Sequence, residues 1–134
     1  MTTRATGTIV TTSWDEKPYN EIEGDGKLTH THMTDTLQGD IEGEGVVEYL
    51  MTYRDDTIGS FVGFERVIGR VGDRSGSFVL QHSGVFEQGH VRGTWSVVPG
   101  SGTGDLRGLR GEGGYVWAGE GSQSTPFTLD YDFD

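Results

Sequence analysis

Glycine is the residue that most constrains what this chain can fold into. The 134 residues include 23 glycines and only 3 prolines, and apolar residues alternate with polar ones between the glycines. A glycine content this high without a collagen repeat indicates either many turns or low complexity. The alternation favours turns, because a period of two is the pattern of half-buried β-strands. Helical i, i+3, i+4 spacing does not extend over any long window, so the sequence predicts an all-β protein.

Eight strands are predicted from alternating runs rich in Thr, Val, Phe and Tyr. They are Ala5–Trp14, Leu28–Leu37, Val46–Tyr53, Ser60–Val71, Ser77–Glu87, His90–Val98, Leu106–Val116 and Phe127–Phe133. Most of their connections are short, and short connections join antiparallel neighbours, while a longer one contains an acidic turn at Glu21–Gly26. Eight such strands with one apolar face close most economically into a barrel, because closure removes the exposed edges. We therefore predict one domain over residues 1–134, an eight-stranded, up-and-down antiparallel β-barrel, with a two-sheet sandwich as the alternative.

The charge balance argues against several classes of partner. Lys and Arg number 10 and Asp and Glu number 21, which gives a net charge of −11. Nucleic-acid binding needs a basic surface that replaces condensed counterions, and anionic membranes also attract basic segments. No apolar run reaches the roughly 18 residues of a membrane span, and the lack of cysteine excludes disulfides and thiolate chemistry. We expect a cytoplasmic protein without nucleic-acid or membrane partners, and leave a homo-oligomer open.

The central hairpins can be paired from the sequence. A turn at Gly72–Ser75 places Glu65 opposite His82, and a two-residue turn at Gln88-Gly89 places His82 opposite Trp95. Directly opposite residues share a face of the sheet, whereas a slip of one residue would exchange the faces. The face that this pairing turns toward the interior carries Phe61, Glu65, Val67, Phe78, Leu80, His82, Phe86, Val91, Trp95 and Val97.

Glu65 and His82 are the most informative residues, because they are an ionisable pair on an otherwise apolar face. Burial raises the pKa of a carboxyl group, whereas a protonated histidine partner lowers it. Such a pair in a cavity can act as a general acid or base, so both are candidate catalytic residues. The alternative is a structural hydrogen-bonded pair near one mouth of the barrel.

Other polar features predict neither a metal nor a cofactor. His30 and His32 share one face of the second strand, but the threonines beside them look like a solvated surface, and a metal would need a third ligand. Gly100–Gly104 lacks the Gly-Lys-Ser/Thr of a phosphate-binding loop. We interpret it as a flexible loop or a lid at a barrel mouth.

Glycines at interior positions favour a cavity over a filled core. An eight-stranded barrel is either filled by side chains or holds one small ligand. Gly63, Gly69, Gly84 and Gly93 fall on interior positions and remove side-chain volume there. The residues that we expect to contact a ligand are Trp95, Phe61, Leu80, Phe86, Tyr53 and Tyr131.

Four segments of the sequence carry a family resemblance: Gly59–Val71, Arg74–Phe86, Gly93–Leu109 and Leu129–Phe133. Together they resemble a bacterial family of unknown function, whose members are similar to single-domain barrels of the allene-oxide-cyclase type. The resemblance covers nearly the whole chain and implies an eight-stranded antiparallel barrel. It implies no activity, because the family is itself poorly characterised, and allene oxide cyclases are similar to it at the level of the fold alone.

Three functions are compatible with such a barrel. One is a lipocalin-like cup for a small hydrophobic molecule. Another is a cofactor-independent cyclase or isomerase that orients a flexible substrate, with Glu65 or His82 transferring a proton and Trp95 stacking on the substrate. The third is a filled-core structural or interaction domain without catalytic activity. We favour binding of a small hydrophobic ligand, leave open whether cyclase or isomerase chemistry accompanies it, and keep the filled-core domain as the alternative.

Overall fold

A computed structural model, which describes residues 2–24, 26–119 and 122–134, shows eight antiparallel strands in one closed barrel. Each strand pairs with its neighbours in sequence, and the last pairs with the first, so the predicted up-and-down barrel is confirmed. Across the described ranges, no helix is long and apolar enough to cross a membrane. The strands are β1 (Thr3–Glu21), β2 (Lys27–Gly39), β3 (Ile41–Asp55), β4 (Ile58–Val71), β5 (Arg74–Glu87), β6 (His90–Val97), β7 (Leu109–Trp117) and β8 (Thr125–Phe133).

The first strand is longer than its sequence pattern predicts. It continues past Trp14 to Glu21 and pairs with β2 as far as Lys27, whereas its pairing with β8 ends at Ile9. The extra residues are mostly exposed and polar, so they carry no alternating signal that would have revealed them. The β1–β2 hairpin therefore extends beyond the first residue of β8, Thr125, where the pairing between β1 and β8 ends. Asp25, which belongs to the predicted acidic turn, lies outside the described residues.

The predicted register is confirmed for one central hairpin and wrong for the other. His82 pairs with Trp95 across β5 and β6, as expected. Across β4 and β5, however, Glu65 pairs with Leu80, a shift of two residues. The cause is a turn that is tighter than expected. Val71 pairs with Arg74, so only two residues connect β4 to β5, and Gly72 takes the positive φ of 60° that this short connection requires. A shift of two residues keeps every side chain on its predicted face.

One end of the barrel is closed by the connection between β6 and β7. This connection contains a short 3₁₀ turn, Gly104–Leu106, and Leu106 is completely buried. The Thr103 amide donates to the Ser77 carbonyl over 2.8 Å, and the Val79 amide donates to Ser101 Oγ over 3.0 Å. The prediction of a flexible loop or lid is therefore wrong, because this segment is fastened along β5 and its buried leucine plugs the barrel.

The interior glycines make room for aromatic rings. A Cβ at Gly93 would lie 2.3 Å from the ring of Tyr115, and a Cβ at Gly84 would lie 2.6 Å from the ring of Phe61. Rings from neighbouring strands thus cover the bare backbone, an arrangement that also helps to fix the register of a sheet. The expectation that these glycines leave empty volume is wrong at Gly63, Gly84 and Gly93, where aromatic rings occupy the space, whereas at Gly69 the space is taken by the backbone of β3.

Candidate functional site

The other end of the barrel opens into a cavity of about 730 Å³. Turns between β3 and β4, between β5 and β6, and between β7 and β8 surround its mouth. The volume falls within the roughly 300–1,000 Å³ that is typical of small-molecule sites. Most of the wall is apolar and consists of Ile9, Met33, Met51, Phe61, Phe86, Val91 and Trp117.

The floor of this cavity is polar. Asp35 of β2, Tyr49 of β3, His82 of β5 and Tyr115 of β7 all border it. These four strands bring the side chains together because the barrel closes and each residue occupies an inward position. We call these four residues, together with Glu65 of β4 behind them, the polar cluster.

His82 is the centre of the polar cluster. Its Nε2 lies 2.9 Å from Glu65 Oε1, and its Nδ1 lies 2.5 Å from the Tyr115 hydroxyl. The Tyr49 hydroxyl is more distant from Nδ1, at 3.4 Å. The Trp95 ring packs edge-on against the imidazole, with 5.3 Å between the ring centroids. Hydrogen bonds and aromatic packing therefore fix the orientation of the imidazole.

Two carboxyl groups meet beside Gly45. A Cβ at this position would lie 1.9 Å from Glu65 Oε2 and 2.3 Å from Asp35 Oδ1, so both oxygens lie in the space that a side chain would fill. Both atoms are buried, and neither has a hydrogen-bond partner within the described part of the chain. Buried polar atoms are nearly always hydrogen-bonded. A proton held between the two carboxyl groups would satisfy both oxygens, and a hydrogen bond with Glu65 is one cause that raises the pKa of Asp35.

Burial shifts the ionisable groups of the polar cluster toward their uncharged forms. It raises the pKa of Asp35 to about 9, and the neighbouring Glu65 adds to this rise. Burial likewise raises the pKa of Glu65 and lowers the pKa of His82 to about 4. At neutral pH Asp35 therefore carries a proton and His82 is a neutral imidazole.

The predicted site residues divide between the cavity and its surroundings. The cavity is bordered by His82, a predicted catalytic residue, and by three predicted ligand contacts, Phe61, Phe86 and Tyr53. Glu65 lies behind the floor and is completely buried. Their roles in binding or catalysis stay predictions.

Three other predicted ligand contacts do not border the cavity. Leu80 is completely buried in the core. Trp95 is also buried, and its indole N–H donates to the Thr128 carbonyl over 2.9 Å. Tyr131 lies near the closed end, where its hydroxyl is close to Gly72. Trp95 contacts His82 directly, so it can influence the site through the imidazole.

Sequence reasoning missed Asp35 and did not distinguish Tyr49 and Tyr115 from other core aromatics. A signal for Asp35 is present, since it alternates with Met33 and Leu37 and therefore faces inward. The tyrosines carry no comparable signal. Tyr115 of β7 contacts His82 of β5 although β6 lies between these two strands, and this proximity depends on the curvature of the barrel.

The exterior histidines lie apart from the polar cluster. His30 and His32 share the outer face of β2, as predicted, and both contact Glu48, with 2.8 Å between His30 Nε2 and Glu48 Oε1. Each carboxylate oxygen engages a different ring, and no group of three or more His, Cys, Asp or Glu among the described side chains could hold a metal ion.

The threonines beside the exterior histidines differ from the prediction. Thr29 and Thr31 are buried, so the expected solvated surface is wrong for these two residues. Side chains alternate along β2, and Thr29 therefore points inward, where its hydroxyl donates to Glu16 of the extended β1 over 2.7 Å.

Comparison with known proteins identifies a family that is described as being of unknown function. A family model described as "Protein of unknown function (DUF3224)" matches residues 5–131. A crystal structure of a protein of unknown function from the DUF3224 family of Shewanella oneidensis MR-1 is similar, with a TM-score of 0.79 and 27% sequence identity, over 100% of this chain and 99% of that chain. No curated protein matches the chain. The predicted family of unknown function is thus confirmed, while the allene-oxide-cyclase-like relation stays a prediction.

Proposed function

Because the chain belongs to the DUF3224 family, which is described as being of unknown function, we propose its function from the barrel itself: it binds a small, largely apolar molecule that carries a hydrogen-bonding oxygen. The observation that carries this proposal is a cavity of about 730 Å³ with apolar walls and a floor that includes Asp35, His82 and Tyr115. Apolar pockets with a few convergent polar groups are the usual form of small-molecule sites. The apolar wall can pack against the hydrocarbon part of the ligand, and the polar floor can form a hydrogen bond with its oxygen.

The polar cluster supports binding over a purely structural role. Burying polar groups without full compensation costs free energy, and replacing buried polar networks with apolar side chains often stabilises a protein. A filled-core domain would therefore gain from leucine or phenylalanine in place of Asp35 and Glu65. Here Asp35 and His82 of the polar cluster border a cavity, which is where a ligand can use their polar atoms.

Cyclase or isomerase chemistry without a cofactor is a second candidate function in the same cavity. It is supported by the position of two titratable side chains, Asp35 and His82, at the cavity surface. An apolar cavity that holds a flexible molecule near its reactive shape lowers the barrier through orientation. An activity of the allene-oxide-cyclase type is the narrower form of this proposal.

Binding can be tested with a matched pair of neutral probes, 2-tetralone and tetralin, which share a carbon skeleton and differ in one carbonyl oxygen. Trp14 and Trp117 border the cavity, so their fluorescence reports occupancy. We expect saturable binding of both probes, and several-fold tighter binding of the ketone because it gains a hydrogen bond at the floor.

Two variants locate the binding. Val91→Phe fills part of the cavity wall and should weaken binding at least tenfold. Val116→Phe makes the same change at an outward position that is about half exposed and should leave affinity unchanged. The proposal is wrong if neither probe binds saturably, or if both variants weaken binding equally.

A further inference from the structure

The polar cluster forms a chain of acidic and basic groups whose two ends face the same cavity. Asp35 meets Glu65 beside Gly45, Glu65 Oε1 lies 2.9 Å from His82 Nε2, and His82 Nδ1 lies 2.5 Å from the Tyr115 hydroxyl. Asp35 and Tyr115 border the cavity. The interior members, Glu65 and His82, are 0% and 2% exposed, so bulk water does not interrupt the chain between them.

All hydrogen bonds along this chain can run in one direction without any net charge. If both carboxyl groups are protonated, Asp35 donates to Glu65 Oε2, and the Glu65 proton on Oε1 is donated to His82 Nε2. The Nδ1–H of His82 then donates to the Tyr115 oxygen. The Tyr115 hydroxyl proton is left for a ligand, and Asp35 Oδ2 is left as an acceptor, because Oδ1 is turned toward Glu65. Uncharged groups suit this site, since burial disfavours charge.

We propose that Asp35, Glu65, His82 and Tyr115 form a proton relay that moves a proton between two atoms of one bound molecule, so that the barrel tautomerises an enolisable carbonyl compound. This inference rests on the binding function proposed above and names its substrate class. The carbonyl oxygen lies at Tyr115 and the adjacent carbon that bears hydrogen lies at Asp35. Asp35 and Tyr115 are the catalytic residues, while Glu65 and His82 act through them.

The proton transfers balance without an oxidant or co-reactant. The α-C–H bond breaks, its proton joins Asp35 Oδ2, and its electron pair becomes the carbon–carbon double bond of the enol. Asp35 passes its Oδ1 proton to Glu65, Glu65 passes its own proton to His82, and His82 passes its Nδ1 proton to Tyr115. The Tyr115 hydroxyl proton joins the carbonyl oxygen. Each member gains one proton and loses one, and solvent that enters through the open mouth returns the chain to its first orientation.

The relay predicts that the protein catalyses exchange of the α-protons of 2-tetralone. With the full chain in D₂O at neutral pD, proton NMR should show loss of the α-C–H signal faster than in buffer alone. Glu65→Gln keeps the shape of the side chain but cannot pass protons, and should reduce the exchange rate at least about 100-fold. Its affinity for 2-tetralone, measured by tryptophan fluorescence, should change less than threefold. Glu48→Gln, the same substitution on the outer face, should leave both quantities unchanged.

Two further measurements test the relay even if Glu65→Gln fails to fold. Tyr115→Phe removes the terminal donor and should also reduce exchange at least about 100-fold. In the unmodified protein, ¹⁵N NMR should show His82 as a neutral imidazole with one protonated nitrogen at pH 7.

The outcomes separate the two proposals. Failure of 2-tetralone to bind overturns both the binding function and the relay. Binding with exchange no faster than in buffer, exchange that survives both Glu65→Gln and Tyr115→Phe, or a doubly protonated His82 at pH 7 overturns the relay and leaves the binding function standing.

Discussion

The two ends of this barrel share one alternating strand pattern but differ in the side chains at their inward positions. At the closed end, the inward positions carry aliphatic and phenyl side chains that are almost completely buried: Leu37, Ile41, Val67, Val71, Phe78, Leu106 and Leu109. At the open end, the inward positions carry tyrosines, histidine and a carboxylic acid around a cavity. The strands themselves are continuous from one end to the other.

The difference shows where the stability and the chemistry of the fold lie. Buried aliphatic groups contribute roughly 25 cal/mol for each Å² of apolar surface removed from water, so the closed end supplies much of the favourable free energy. The open end holds groups whose burial is unfavourable. A firmly packed closed end therefore allows the open end to keep a cavity and the polar cluster.

The largest effect should come from the closed end. Leu106→Ala removes the plug, and we expect a loss of about 2–5 kcal/mol in unfolding free energy, because the buried site leaves a cavity. Urea denaturation measures this loss. Binding of 2-tetralone by the folded protein should be unchanged, since Leu106 lies at the opposite end from the cavity.

Leu50→Ala is the matched control for this comparison, since Leu50 is about half exposed on the outer face of β3. Its effect should stay within about 0.5 kcal/mol. Equal losses for the two variants would contradict the assignment of the closed end as the main source of stability.

The open end should make stability depend on pH. The folded protein holds the pKa of Asp35 at about 9, well above the roughly 3.9 of an unfolded chain, so this contribution to stability is complete below about pH 4 and is lost as pH rises toward 9. His82 acts in the opposite sense, because its pKa is lowered to about 4, and its contribution is complete above about pH 6.5 and is lost as pH falls toward 4.

Of these two contributions, therefore, only that of Asp35 still changes above about pH 6.5. From Asp35 alone, we expect the unfolding free energy to fall by up to about 1.4 kcal/mol per pH unit between pH 6.5 and 9. Asp35→Asn, which cannot ionise, should reduce this slope, and denaturation at a series of pH values measures it. A stability that is constant over this range in the unmodified protein would show that Asp35 is not held protonated.

A smaller effect should come from the boundary between the two ends, at Gly45. An alanine Cβ there would collide with Glu65 Oε2 and Asp35 Oδ1, and overpacking of this kind costs about 1–3 kcal/mol. The same substitution in an Asp35→Ala background should cost less, because one of the colliding carboxyl groups is gone. Urea denaturation measures the unfolding free energies of this double-mutant cycle. If the losses are additive, glycine is needed at position 45 for the backbone conformation and not for contact with the carboxyl pair.

Local pattern was sufficient for much of the fold. Alternation along each strand identified eight strands and the inward face that carries Glu65 and His82, because a period of two depends on neighbouring residues alone. The Gln88-Gly89 turn fixed the register of β5 and β6 correctly. At Gly72–Ser75 the sequence allows more than one turn length, and the register of β4 and β5 was wrong by two residues for that reason.

The sequence by itself thus determined the barrel, the buried Glu65 and His82 and the apolar interior. Only the tertiary structure decided that Asp35 of β2 reaches Glu65 of β4 across Gly45, and that Tyr115 of β7 reaches His82 of β5. Each of these contacts spans an intervening strand, so it depends on the curvature that closes the barrel. Curvature arises from the summed twist of all eight strands and from glycines that admit rings or carboxyl groups, and no single segment of the chain encodes it.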